Sequence, residues 1–143
     1  MDLSEYVQIG MSQEESFTVE EVHTAAHVGS GSSRVLASPW MIAFMERAAR
    51  KLLGDHLPPG YSSVGVHVNV RHLAPSPVGS KVRARAEVMA IDGLKVDFSV
   101  QAWDSFELIG EGTHRRVVIE ERRFLARVAS KESPSPAQIT PGK

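Results

Sequence analysis

Apolar residues recur along this chain with two different periods, and their order predicts the architecture. The stretch "ESFTVEEV" (15–22) alternates apolar and polar positions, the pattern of a half-buried strand. In "VLASPWMIAFMERAARKLLG" (35–54) the period lengthens to that of a helix. With Met41 as origin and about 100° per residue, Met45, Ala48 and Leu52 fall within about 40° of it. Phe44 and Trp40 widen the apolar arc on one side and Ile42, Ala49 and Leu53 on the other, while Arg47, Arg50 and Lys51 fill the rest. The helix is predicted to begin near Ser38, with Pro39 at its first position, and to stop at Gly54 ahead of Pro58 and Pro59. The preceding "HVGSGSSR" (27–34) reads as a flexible loop.

Period-two patterns then return. In "SSVGVHVNVRHL" (62–73), Val64, Val66, Val68 and Val70 share one face with His72, and Gly65, His67, Asn69 and Arg71 share the other. "KVRARAEVMAI" (81–91) turns Val82, Ala84, Ala86, Val88 and Ala90 inward. "LKVDFSVQAW" (94–103) does so with Leu94, Val96, Phe98, Val100 and Ala102. Asp92-Gly93 between them is a strong hairpin signal. After a turn at "DSF", a last strand is expected over 107–128. The tail 130–143, with three prolines and little to bury, is expected to be disordered. One domain over 1–129 results, of α+β class, with a helix of about 16 residues wrapped by an antiparallel sheet.

Net charge is −1, which offers no global field to draw in nucleic acid or an anionic membrane. The absence of cysteine removes disulfides, thiol nucleophiles and Cys-based zinc sites. The polar N-terminus is unlike a signal peptide and no apolar run reaches membrane-spanning length, so a cytoplasmic location is expected. "HTAAH" (23–27) has the spacing of two metal ligands but lacks the glutamate of HExxH and a third ligand; no metal and no cofactor are expected. The basic stretches "KVRAR" (81–85), "HRR" (114–116) and "ERRFLAR" (121–127) alternate as solvated strand faces do. Within them Arg83, Arg85 and Arg115 are candidates to hold phosphates. His114 reads as an ordinary strand residue, or as part of a polar cluster against a ligand.

Three residues carry candidate chemistry. Glu46 lies near 140° on the helix, at the rim of the apolar face beside Ile42 and Leu53. It is there either as an Arg50 partner at i+4 or as a tuned base or nucleophile. Ser38 suits an N-cap, and the same position sets it at the positive end of the helix dipole, where a developing oxyanion would be stabilised. His72 closes its strand on the inward face just before "APSP". It is either a hydrogen-bonded core histidine or a proton carrier meeting substrate.

"VLASPWMIAFMERAARKLL", "SVGVHVNVRHLAPSPVG" and "GEGTHRRVVI", in that order, resemble the hotdog-fold thioesterases, and within them the fluoroacetyl-CoA thioesterase-like branch. The resemblance covers about residues 15–128. It implies a hotdog fold, in which an antiparallel sheet wraps a long helix, and hydrolysis of a small to medium acyl-CoA to the acid and CoA. It also implies catalytic roles for Ser38 (threonine in the characterised branch), Glu46 and His72, and a place for Gly65 beside the acyl group. The branch has a longer, Phe-containing lid before the helix. This chain has the short "HVGSGSSRVLA" with no aromatic gate, so fluoroacetyl selectivity does not carry over. Ser38 and Glu46 stand about 12 Å apart along one helix, too far to act on one carbonyl from the same chain. Either one of the two acts indirectly, or the site combines Ser38 of one chain with Glu46 of another. The resemblance to hotdog proteins, which form dimers with sites at the subunit interface, implies the second, a homodimer with two composite sites. The alternatives are a hotdog enoyl-thioester hydratase or dehydratase, which also uses an acid and a histidine, and a non-catalytic acyl-CoA binding module.

Overall fold

The computed structural model describes residues 1–132. After a short 3-10 turn, Leu3–Glu5, the elements are β1 (Ser12–Thr18), a second 3-10 turn (Glu21–His23), α1 (Ala25–Val28), α2 (Ser38–His56), β2 (Tyr61–His72), β3 (Lys81–Asp92), β4 (Lys95–Trp103), β5 (Leu108–Glu120) and α3 (Glu121–Ala129). The strands form one antiparallel sheet in the order β1-β3-β4-β5-β2.

The sheet curls around α2 because the neighbouring strands β3 and β4 present an apolar inner face to it. Val82, Ala84, Ala86 and Val88 of β3 and Val96, Phe98, Val100 and Ala102 of β4 are fully buried. Against them lie Met41, Phe44, Met45, Ala48, Ala49, Leu52 and Leu53 of α2, also fully buried. Small alanines in the sheet let the helix approach while Phe44 and Phe98 fill the volume, as close packing requires. Phe17 of β1 stacks on Phe44 with ring centroids 4.2 Å apart, closing one side of the wrap.

The structure departs from the sequence reading at several points. β1 is Ser12–Thr18 rather than 15–22, because Glu21–His23 turns into a 3-10 coil ahead of α1. His23 therefore packs edge-on against Trp40 and Phe44 and accepts the Glu20 N–H, while His27 is exposed on α1. Helix α2 runs to His56, past Gly54. At the hairpin, Gly93 has φ +60 and pairs Asp92 with Lys95, so the turn residues are Gly93 and Leu94, and Leu94 is exposed. A positive φ at only the first turn residue is the type II′ pattern. A register shift between Val88 and Ala90 leaves Ala90 exposed.

The strand expected over 107–128 ends at Glu120. The basic run beyond it is α3, whose first N–H binds the Gly60 carbonyl. Phe124 and Arg127 turn toward one cleft while Leu125 stays exposed, an assortment that period-two reading cannot separate from helix. Ser130–Glu132 continue as a turn, and the tail beyond residue 132 lies outside the described residues.

The largest consequence for function comes from β2. Its pairing with β5 shifts between Gly65 and His67, so Val66 is an unpaired bulge residue. On one side of the bulge Ser63 and Gly65 stand opposite Val118 and Arg116. On the other, Val68, Val70 and His72 stand opposite His114, Gly112 and Gly110. The strict alternation read from the sequence placed Gly65 on the face away from His72. The extra residue moves both onto the face toward α2.

Candidate active site

Two polar clusters result, one at each end of the first half of α2. At the start of the helix, Ser38 Oγ lies 2.8 Å from Nδ1 of His72. The hydroxyl is not spent on capping, since the cap residue is Ala37 and no side chain caps the helix. The amides of Trp40 and Met41 both turn back to the Ala37 carbonyl, and Pro39 has none. What the helix end offers at Ser38 is thus its dipole more than a row of free amides. Burial holds the His72 imidazole below the ordinary histidine range, which keeps it neutral, with a ring lone pair free to accept a proton. Its Nε2 is buried and has no hydrogen-bond partner among the described residues.

Two turns along, Glu46 is partly exposed and faces Arg116, with Oε2 3.9 Å from Nη1. The i+4 pair with Arg50 expected from helix geometry gives way to this cross-element one. Arg116 is buried, 5% exposed, and is held from three sides. It donates from Nε to Ser63 Oγ (2.8 Å), from Nη2 to the Ser63 carbonyl (3.0 Å) and from Nη1 toward His114 Nε2 (3.2 Å). His114 is 2% exposed, and its Nδ1 lies 2.8 Å from the His67 carbonyl. A carbonyl only accepts, so Nδ1 carries the hydrogen and Nε2 offers its lone pair to the guanidinium. Burial first, then the charge of Arg116, hold His114 below the usual range. Burial also lowers Arg116, with Glu46 opposing and Arg50 adding to the effect.

Gly65 borders this cluster. A Cβ there would stand 3.0 Å from Glu46 Oε2 and 3.0 Å from His114 Cε1, so its lack of a side chain keeps open the space beside the carboxylate. The structure thus brings Ser38 to His72 and Glu46 to Gly65. It keeps Arg83, Arg85 and Arg115 apart from both, on the sheet face turned away from α2. There Arg83 meets Glu14 and lies over Trp103, Arg85 meets Glu87, and Arg115 makes a two-pronged pair with Asp97 at 2.6 and 3.0 Å.

Sequence reasoning passed over Arg116 and gave His114 little weight. A signal was present: Gly110, Gly112, His114, Arg116 and Val118 follow one another at the inward period of β5, and two polar residues in such a row demand partners. Among the described residues no group of three or more His, Asp or Glu is placed to hold a metal, and no helix is long and apolar enough to cross a membrane.

The sequence pattern of the family described as fluoroacetyl-CoA-specific thioesterase matches residues 19–122, well over half of the chain. This chain belongs to that family. The fluoroacetyl-CoA thioesterase of Streptantibioticus cattleyicolor is 36% identical over 97 residues, 68% of this chain and 70% of that protein. A Thr-to-Ser variant of the fluoroacetyl-CoA enzyme, solved in complex with acetyl-CoA, superimposes with a TM-score of 0.83 at 32% identity, covering 89% of this chain and all of that one. A hot-dog-like protein from Thermanaerovibrio acidaminovorans gives a TM-score of 0.85 at 25% identity, covering 94% of this chain and 99% of that one. The fold is the hotdog fold, and this family member is a thioester hydrolase acting on acyl-CoA.

Proposed function

We propose that this hydrolase cleaves small to medium acyl-CoA thioesters with Ser38, His72, Glu46 and Gly65, supported by Arg116, in sites completed by two copies of the chain. The observation that carries the assignment is the 2.8 Å hydrogen bond between Ser38 Oγ and the half-buried, neutral His72 at the positive end of α2. A hydroxyl against a base is the geometry of an activated nucleophile. In the proposed course His72 takes the Ser38 proton as the hydroxyl oxygen attacks the thioester carbonyl carbon. The carbon–sulfur bond breaks and the CoA thiolate leaves with that proton. Glu46 then draws a proton from water as the water oxygen attacks the acyl carbon. The bond from that carbon to Ser38 Oγ breaks, and the proton passes by way of His72 to the serine oxygen, which releases the acid and restores both residues. Arg116 fixes the carboxylate, and Gly65 leaves room for the acyl group beside it.

The edge of the sheet supports the second copy. β2 is an outer strand twelve residues long, and it exposes Val66 (54%) and Val68 (39%). A long apolar edge is one that proteins cover. The other edge, β1, carries Glu14 and Glu15 instead. A second copy across β2 would bring the Glu46 cluster of one chain to the Ser38–His72 pair of the other, whose Nε2 has no partner among the described residues.

No aromatic residue stands between Ala25 and Ala37, so nothing in that segment narrows the choice to a two-carbon acyl group. The test is thiol release from short, medium and aromatic acyl-CoAs. Turnover of short and medium chains is expected. Acyl-CoA binding without thiol release, or loss of enoyl absorbance without thiol release, would overturn the reading.

A further inference from the structure

CoA thioesters carry a diphosphate and a 3′-phosphate at the far end of the pantetheine arm, and the phosphates need cations. The arginines that the sequence offered for this role are engaged with carboxylates on the other face of the sheet. Beside Glu46 the situation differs. A cleft of about 500 Å³ runs between the C-terminal half of α2 and the curled edges β1 and β2, lined among others by Arg47, Arg50, Lys51, Tyr61 and Ser63. It borders the site described above, because Ser63, one of its lining residues, is also the residue that holds Arg116. From Glu46 to Gly54 at its outer end is eight residues of helix, about 12 Å. A group bound toward that end is separated from the carboxylate by an arm, as the phosphates of CoA are from its thioester.

The cations in this cleft are unusually uncommitted. Lys51 is paired with Asp55, but neither Arg47 nor Arg50 has a carboxylate within ion-pair reach among the described residues. Arg47 is held instead over the rings of Trp40, Phe17 and Phe44, at 5.4, 5.7 and 6.0 Å. Such stacking fixes a guanidinium while leaving its N–H groups free for a phosphate. Arg50 lies close enough to Arg116 for the two charges to oppose each other, with Glu46 offsetting that of Arg116. Three cations, Arg47, Arg50 and Lys51, line the cleft against two carboxylates, Glu15 and Asp55, the second of which is taken by Lys51, so positive charge is in excess by one.

We propose that this cleft holds the phosphorylated nucleotide end of CoA, with Arg47 and Arg50 as its phosphate partners and Lys51 at the rim. The assignment rests on the hydrolase reading and adds to it the source of the selectivity for CoA thioesters over shorter thioesters.

The test compares an acyl-CoA with the matching acyl-pantetheine thioester, which has the same reacting end and no phosphates. Wild type, the Arg47→Glu/Arg50→Glu variant and an Arg123→Glu/Arg127→Glu variant in the cleft beside α3 are assayed by thiol release. The expected result is that wild type prefers acyl-CoA. The preference, as a ratio of kcat/KM values, falls about tenfold or more in the α2 variant, through KM and with kcat little changed. The α3 variant keeps the preference. A ratio that survives the α2 charge reversal, one that collapses only in the α3 variant, or an equal loss on both thioesters would overturn the proposal. Absence of wild-type turnover on either thioester would instead overturn the hydrolase reading beneath it.

Discussion

Ser38, His72 and Glu46 each have a structural explanation available, and for Ser38 and Glu46 the structure uses the side chain differently. Ser38 bonds His72 instead of capping, and Glu46 meets Arg116 across the fold instead of Arg50 along the helix. Glu46→Gln is expected to lower kcat by about 10²–10⁴, the worth of a positioned base, with the thermal midpoint little moved, since the group is partly exposed. Ser38→Ala should lose activity comparably, whereas Ser38→Thr, which keeps the hydroxyl, should stay within about tenfold of wild type. Gly65→Ala would push a methyl group against the Glu46 carboxylate. A fall in kcat of about tenfold to a hundredfold is expected, by displacement of a reacting group, and an unchanged rate would remove Gly65 from the site. Ser38, Glu46 and His72 were legible because each breaks a local pattern: a hydroxyl before a proline, a carboxylate at an apolar rim, a histidine in a valine row. Arg116 was not, because next to Arg115 nothing in composition says which of two adjacent arginines faces inward. Only the pairing of β5 with β2 decides it.

The elements were legible wherever burial is one-sided and uninterrupted. Helix α2 and strands β3 and β4 follow their periods because each presents a single face to one core. The reading failed where a backbone irregularity intervenes, at the bulges in β2 and β3, since one inserted residue reverses every later side chain and leaves no mark on composition. It failed again at α3, where a short basic amphipathic helix imitates an alternating strand. The core itself predicts that Phe44→Ala, which empties a fully buried site and removes the stack on Phe17, costs about 3–5 kcal/mol in urea unfolding. Acid should weaken the packing of β2 on β5 and α2. His72 and His114 are both held below the usual histidine value of about 6.5. As the pH falls below that value the unfolded chain takes up protons that the folded one refuses, so stability declines through that window and is regained as pH rises. Urea midpoints that stay flat between about pH 7.5 and pH 5 would contradict this.

At the scale of the whole molecule, one chain carries two separate polar clusters: the Ser38–His72 pair at the start of α2, and the Glu46–Arg116–His114 cluster two turns further on. The exposed valines of β2 supply a reason for two chains to associate along that edge, which would complete two sites at once. The most direct test is thiol release from a short acyl-CoA by Ser38→Ala and Glu46→Gln, each alone and then refolded or co-expressed together. Each variant alone is predicted to be nearly inactive. In the mixture half of the dimers would be hybrid, each with one intact site, so about a quarter of the wild-type rate should return. A mixture no more active than its components, with hybrid dimers demonstrably present, would contradict the composite site and place the catalytic groups within one chain.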